Sequence, residues 1–487
     1  MKKHFIIILA ALLLVQATAC SQEQTQESAI EETTQVPEES VPEVETIPAE
    51  LVDELPKGLD FNGEQINFII RPEFAHYDAD GISAGGNIED AVYNRNLAVE
   101  ERLNVDLNYI HTANNDFTIM AQQVQNVVLA NSDELDVVMQ RGLQTFPQAL
   151  RGYFIDLNNL EYINLDKKWW WEDSLSSTLV DPNKVPYAIG DMSISTIMAS
   201  TALYFNKEML ADYGKTAEDL YSIVENGEWT YDKFEEYAAD IYEDTNGNGT
   251  QDAGDTYAAI ILPHGFPLIM YSSGLHHTQR DENNLPYVNI MTEKNQKFAE
   301  SISRIFNDEP YFYKGGGDHA AMASKFMAGE AVFQFERFMM LDYIREMEDA
   351  YGIIPYPKFD EADDYMSGIG AGGNFISIPV TSAKQEITGA ALEALAVESY
   401  TNVTPVFIDS SLKTKYVDSQ KDCEMVSLIL DHIYIDMMNL GIPNFVNVLE
   451  TVVVSGKPDT FASTYQANKE SNDAAVANMI AEAQEVQ

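Results

Sequence analysis

The sequence predicts an α/β protein of two lobes, on three observations. From residue 65 onward, buried strand patterns alternate with amphipathic helix patterns, which argues a mainly parallel sheet covered on both faces. Roughly 430 residues remain for folding once the N-terminal segments are set aside, more than one core of ordinary domain size holds. Beyond residue 20 no apolar run is long enough to span a bilayer.

The N-terminal stretch "MKKHFIIILAALLLVQATAC" has a basic start at Lys2 and Lys3, an apolar run from Phe5 to Val15, and small residues Ala17 and Ala19 before Cys20. It reads as a secretory signal (residues 1–20). The end of it resembles the lipobox of bacterial lipoproteins, where the cysteine is acylated and becomes the first mature residue, although leucine is more usual where Ala17 stands. Acyl chains on Cys20 would hold the protein on the extracellular face of the cell membrane, each buried methylene contributing about 0.8 kcal/mol. Residues 21–58 carry repeated glutamates and no aromatic residue, so they cannot bury enough apolar surface to offset ordering; they read as an acidic, disordered tether. With Cys20 acylated, Cys423 is the only thiol left and no disulfide can form within the chain; it is expected to be a small buried hydrophobe on a helix. The formal charge is -49, with 78 acidic against 29 basic residues, which makes nucleic acid a very poor partner.

The elements follow in order. "QINFIIRPE" (65–73) predicts a buried strand, and residues 89–105 a helix with Ala91, Val92, Leu97, Val99 and Leu103 turned inward. "VDLNYI" gives a second strand, Phe117 to Leu129 a helix, and "LDVVMQ" a third strand. Further along, Thr230 stands as an N-cap at the start of a helix, "TYAAII" reads as a strand, and "AVFQF" as another.

Between the Thr230 helix and "TYAAII" lies "DTNGNGTQDAGD". Side-chain oxygens of Asp244, Asn246, Asn248, Asp252 and Asp255 fall at positions 1, 3, 5, 9 and 12 of a calcium loop, with Gly249 at position 6 and the Thr250 carbonyl at position 7. Asp255 replaces the usual longer glutamate. An acidic Asn/Gly turn that binds nothing is the plain alternative, because turns favour the same residues.

The order of several segments resembles one family. "DAVYNRNLAVEERLNVDL", "DVVMQRG", "YFIDLNNLEYINLDKKWWWEDS", "VPYAIGDMS", "ALYFNKEML", "GEWTYDKFEEYAADI", "KFMAGEAVFQFERF", "YGIIPYPKFD" with "GGNFISIP", and the closing "FASTYQANKESNDAAVANMIAEAQ" are similar to the extracellular solute-binding proteins of family 1, receptors of carbohydrate ABC importers. "VTSAKQE" departs from the family's usual Lys-x-Ser-Lys-Asn. The resemblance implies a type II periplasmic-binding-protein fold, two hinged lobes with a central cleft: residues 59–204 in the first lobe, 205–352 in the second with the calcium loop inserted at 244–255, 353–405 returning to the first, and 406–487 as C-terminal helices of the second. It implies a monomer that captures a small solute, a mono- or oligosaccharide, for the membrane subunits of an ABC permease. Gram-positive members often carry a similar insertion, so the resemblance implies a structural calcium ion rather than a sensing one.

Sugar recognition needs aromatic faces and planar polar groups. "KKWWWED" offers Trp169 and Trp171 on one face if extended, and Trp229 is a weaker candidate. Glu336 and Arg337 fall at the carboxyl end of a strand, where open α/β sheets bind ligands. Gly372 and Gly373, in "GIGAGGNF", bring backbone close to ligand or to the other lobe. Asp191 and Tyr271 follow from the resemblance. His276 and His277 read as solvent-facing loop residues without a metal partner.

Several common catalytic motifs are missing: there is no His-Glu-x-x-His helix, no phosphate loop and no Cys-x-x-Cys. A binding protein is therefore expected rather than an enzyme. The alternatives are a lipid-anchored glycoside hydrolase, since two of 78 acids would suffice, and a ligand-sensing module for a membrane kinase.

Overall fold

The computed structural model describes residues 52–486 except 317, 370–371 and 413–419; Cys20 and most of the tether lie outside the described residues. Of the segment read as tether, residues 52–58 are described. Asp53 pairs with Arg102 at 2.6 Å and Leu55 is buried in the first core, so ordered packing starts before residue 59.

β1 (Glu64–Ile70) is central to the first sheet, because its Ile66, Phe68, Ile69 and Ile70 are buried on both faces. α1 (Asn87–Leu103) leads to β2 (Val105–His111), and α2 (Phe117–Leu129) to β3 (Val137–Arg141); both strands run parallel to β1. Asn104, at φ 49°, ends α1 in the left-handed conformation that asparagine tolerates. Asp116 caps α2 by accepting from the Thr118 amide. The inward stripe of α1 is Val92, Arg95, Val99 and Leu103. Leu97, expected inside, is exposed, because it sits across the helix from that stripe. Arg95 is tolerated inside since its guanidinium donates to the Asp78 carbonyl at 2.9 Å and to Ser399 at 3.2 Å. α3 (Gly142–Ala149) follows β3 without a loop.

The chain crosses to the second lobe on β4 (Thr201–Asn206), whose six residues are all buried. Then come α4 (Tyr231–Ala238), β5 (Tyr242–Glu243), β6 (Thr256–Ile261), β7 (Phe312–Lys314), α5 (His319–Met327), β8 (Ala331–Arg337) and β9 (Tyr351–Ile354). Thr230 caps α4 through the Lys233 amide, as its position predicted. The second sheet runs β9-β4-β8-β6-β5, with β7 also on β6. β8 is antiparallel to β4 and parallel to β6. The return strand β10 (Asn374–Ser377) is antiparallel to β3 and closes the first sheet as β10-β3-β1-β2. α6 (Gln385–Glu398) is buried in the first lobe, and α7 (Phe461–Glu485) spans both: Phe461 packs in the second core, Ala475 and Met479 in the first.

These pairings move the expected boundaries. Strand β4 begins the second lobe at 201 rather than 205, and β9 still belongs to the second sheet, so the return to the first comes at β10 rather than at 353. The C-terminal half of α7 belongs to the first lobe. Among the described residues no helix is long and apolar enough to cross a membrane.

Trp229 lies wholly inside the second core, against Phe234, Tyr237 and Phe333 at 5.9–6.3 Å, with its indole N–H donated to the Pro355 carbonyl at 3.2 Å. Trp229→Ala should therefore cost about 3–5 kcal/mol of stability. Urea unfolding of the folded variant would measure it, and a loss below about 1 kcal/mol would contradict a core role.

Candidate functional site

Strand ends place the charges. In parallel α/β sheets the space beyond the carboxyl ends of the strands is where ligands sit. Here β1 ends into Arg71, β3 ends on Arg141 and β8 ends on Glu336 and Arg337; β10 enters beside Arg141, with Asn374 as its register partner. The two lobes meet electrostatically at this point. The charge of Arg337 in the second lobe acts on Arg141 in the first, and that of Glu73 acts on Tyr343 in the second.

Arg71 is 3% exposed, donates to Glu73 at 3.0 Å and to the Asn374 Oδ1 at 3.2 Å, and keeps a buried Nε with no acceptor. Burial, then the like charge of Arg141, lowers its pKa to about 10. Arg141 lies over the Phe117 ring at 4.5 Å, and its buried Nε also lacks a partner. Burial depresses the Arg141 pKa; Glu73 opposes the shift and Arg337 adds to it. Across the cleft, Glu336 accepts from His319 Nδ1 at 2.7 Å and from Arg337 Nε at 3.1 Å, while Arg337 Nη2 donates to His319 Nε2 at 3.2 Å. Burial would raise the Glu336 carboxyl, but His319 and Arg337 outweigh it and hold it below its ordinary value. Such forks of N–H donors flanking aromatic faces suit planar, bidentate recognition of oxygen-rich groups.

A buried clasp sets this geometry. Asp78 accepts from the Ser195 amide at 2.8 Å, from Ser193 Oγ at 3.0 Å and from Asn374 Nδ2 at 2.8 Å. Thr196 Oγ1 accepts from the Asn374 amide at 2.9 Å. The segment entering β4 and the start of β10 are thus tied to one carboxylate, and Asn374 passes that order to Arg71.

Of the residues singled out in the sequence, Glu336, Arg337, Gly372 and Gly373 come to the cleft end of the sheets. The close approach expected at the glycines holds for Gly373, where a Cβ would lie 2.9 Å from Thr196 Cγ2, and not for Gly372, which has open space. The tryptophans are elsewhere. Trp169 and Trp170 are both buried in the first core with their indoles on Glu393, at 3.2 and 2.8 Å, because a turn through the Trp170 amide and Lys167 carbonyl breaks the alternation of an extended segment. Trp171 is half-buried and donates to Asp191 Oδ2 at 2.9 Å; Thr404 donates to the other oxygen at 2.7 Å. Trp171 and Asp191 line a separate groove with Tyr400 and Thr404. Tyr271 is buried, accepts from Asn447 at 3.1 Å, and packs edge-on against His277. His277 is itself fully buried, not solvent-facing as expected, whereas Cys423 is exposed rather than buried. Arg71, Arg141, His319 and Asn374 were not singled out, although an arginine directly after "FII" and after "VVMQ" carries the same signal as Arg337 after "AVFQFE".

The 244–255 loop is closed by the pairing of β5 with β6. Hydrogen bonds knit it together: Asp244 accepts from the Gly249 amide at 2.8 Å, and Asp252 from the side-chain amides of Asn246 and Asn248 at 2.9 and 2.6 Å. Gly249 takes φ 73°, which the sharp turn requires. Thr250 donates its amide to Asn248 Oδ1 at 2.7 Å. Asp255 is fully buried; Oδ2 accepts from Tyr242, while Oδ1 has no partner. Among the described residues no group of three or more His, Cys, Asp or Glu side chains is arranged as a metal site, so asparagine and carbonyl oxygens would have to complete any coordination here.

No family model matches the chain, and no curated protein matches it in sequence. Solved structures do. The GacH receptor of Streptomyces glaucescens GLA.O, solved unliganded and with acarbose, is 16% identical over 84% of this chain and 99% of its own, at a TM-score of 0.54. UgpB from Mycobacterium tuberculosis, in complex with glycerophosphocholine, is 15% identical over 86% and 100%, at 0.55. An ABC substrate-binding protein from Listeria monocytogenes, in complex with cycloalternan, is 15% identical over 86% and 99%, at 0.53. At such identities the likeness establishes the fold: the chain has the two-lobed type II periplasmic-binding-protein architecture.

Asp191 makes the groove beneath Trp171 pH-sensitive. Burial raises its pKa from 3.8 to about 6 against the donors Thr404 and Trp171, and burial likewise lifts Glu393 to about 7. The folded chain therefore holds protons that the unfolded chain has released, so stability falls as pH rises from about 4 towards 6 for Asp191. Over that window wild type should lose about 3 kcal/mol relative to Asp191→Asn in urea unfolding. Parallel curves for the two proteins from pH 4 to 7 would refute the assignment.

Proposed function

We propose that the chain is an extracellular solute-binding protein that captures a small solute, a mono- or oligosaccharide, and delivers it to an ABC importer. One observation carries the reading: charged side chains at strand ends of both lobes, Arg71 and Arg141 in the first and His319, Glu336 and Arg337 in the second, lie close enough for the Arg337 charge to act on Arg141. A solute held there contacts both lobes at once, so its binding energy favours the closed arrangement without a covalent step. The proteins named above bind acarbose, glycerophosphocholine and cycloalternan, which supports solute capture as the shared use of the fold. Acylation of Cys20 would moor the receptor at the outer face of the membrane, with the acidic segment after it as spacer.

We also propose calcium in the 244–255 loop, held by Asp244, Asp252 and Asp255 with oxygens of Asn246, Asn248 and the Thr250 carbonyl. The orphaned, buried Oδ1 of Asp255 fits a cation. When bound, the ion would supply a counter-charge to the loop's carboxylates and tie down a surface turn.

A carbohydrate panel tests the first reading by calorimetry and small-angle scattering. A saturable isotherm with compaction and no new reducing ends is expected; steady release of reducing ends would identify a glycoside hydrolase instead. Chelation tests the second: the melting temperature should fall by several degrees while solute affinity changes only a few-fold. Loss of affinity at constant melting temperature would favour a sensing module.

A further inference from the structure

The cleft charges are of the wrong sign for this chain. With 78 acids against 29 bases, carboxylates are abundant enough to partner every arginine. Three arginines nevertheless converge here. Glu73 is engaged with Arg71, and Glu336 with Arg337 and His319. The Arg141 guanidinium makes no hydrogen bond or ion pair among the described residues; it rests on the Phe117 face, and its Nε is buried without an acceptor. The second orphan, Nε of Arg71, belongs to a side chain 3% exposed. Leaving buried donors unpaired is costly, and so is packing like charges together, unless something of opposite sign completes the set. α3 adds to the demand, since it begins right after Arg141 with no capping side chain and presents the positive end of its dipole.

We infer that the solute carries an anionic group, a carboxylate or a phosphate ester, gripped by Arg141 together with Arg71 and Arg337. The inference rests on the solute-binding reading and narrows it: the hydroxylated remainder of the ligand meets the neutral groups, and the acid meets the guanidinium forks. Asn374 acts as a positioning residue, because its Oδ1 holds Arg71 while its Nδ2 is fixed by Asp78.

The test uses the full mature chain with three probes: digalacturonate, glucose 6-phosphate and neutral maltotriose. Calorimetry and thermal shift should show saturable binding of an acidic probe, and which of the two binds distinguishes carboxylate from phosphate. Arg141→Gln should weaken that binding at least tenfold while melting no lower than wild type without ligand, because the substitution relieves like-charge crowding; Arg141→Lys should retain part of the affinity. If maltotriose binds and neither acidic probe does, the solute-binding reading stands and the anionic inference falls. Failure of all three probes overturns the inference and removes support from the reading on which it rests. A marked loss of stability in both variants would make Arg141 structural and overturn the inference as well.

Discussion

One buried carboxylate, Asp78, organises the region that matters. It sits just beyond β1, yet its partners Ser193 and Ser195 lie 115 and 117 residues later and Asn374 lies 296 residues later. Burial pushes the Asp78 carboxyl upward and the hydroxyl, amide and backbone donors pull against it. Each charge-assisted bond contributes about 1.5–3 kcal/mol, and losing a donor leaves a buried acceptor exposed to the full desolvation cost. The clasp therefore holds the entry to β4 and the start of β10 in one arrangement, and Arg71 inherits its orientation from it. A loose crossing would blur the geometry of side chains supplied by different lobes, so rigidity there keeps them in register.

Local signals in the sequence were legible where one element decides the outcome. The helix 117–129 and the strand 256–261 emerge at their expected limits because apolar periodicity and the flanking turn residues agree. Glu336 and Arg337 were legible for the same reason: a buried strand that stops at a charged pair marks a sheet edge. The tryptophans were not. Three in a row suggest a sugar platform by composition, but a buried indole needs a partner for its N–H, and Glu393, more than two hundred residues away, supplies it for two of them. Periodicity carries no information about such a pairing, nor about which arginines an acidic chain leaves without acids.

The 244–255 loop and the cleft share one helix. Lys325, in the last turn of α5, donates to the Asp255 carbonyl at 2.6 Å and the Ala253 carbonyl at 3.0 Å, and His319 at the other end of α5 bonds Glu336. They stand six helical positions apart, about 9 Å. Ordering the loop would hold the far end of α5 without altering what His319 touches. Information would pass only if α5 had two packed positions that loop and cleft both biased. Its Met322, Ala323 and Phe326 are buried in one core, which favours a fixed helix and hence a staple.

The acidity of the chain shapes how its cleft can work. At a formal charge of -49 the surface repels an anion as it approaches, but salt screens that repulsion beyond about 8–10 Å. Inside the cleft the guanidinium groups of Arg71 and Arg141 are largely withdrawn from water and so are screened little. Attraction is then confined to short range, where geometry counts: an anion gains nothing by lingering near the surface and gains fully only when seated between β1, β3 and β8. Long-range repulsion with short-range capture disfavours loosely held polyanions and rewards a ligand small enough to enter whole. The same surface charge disfavours adhesion to anionic lipid headgroups.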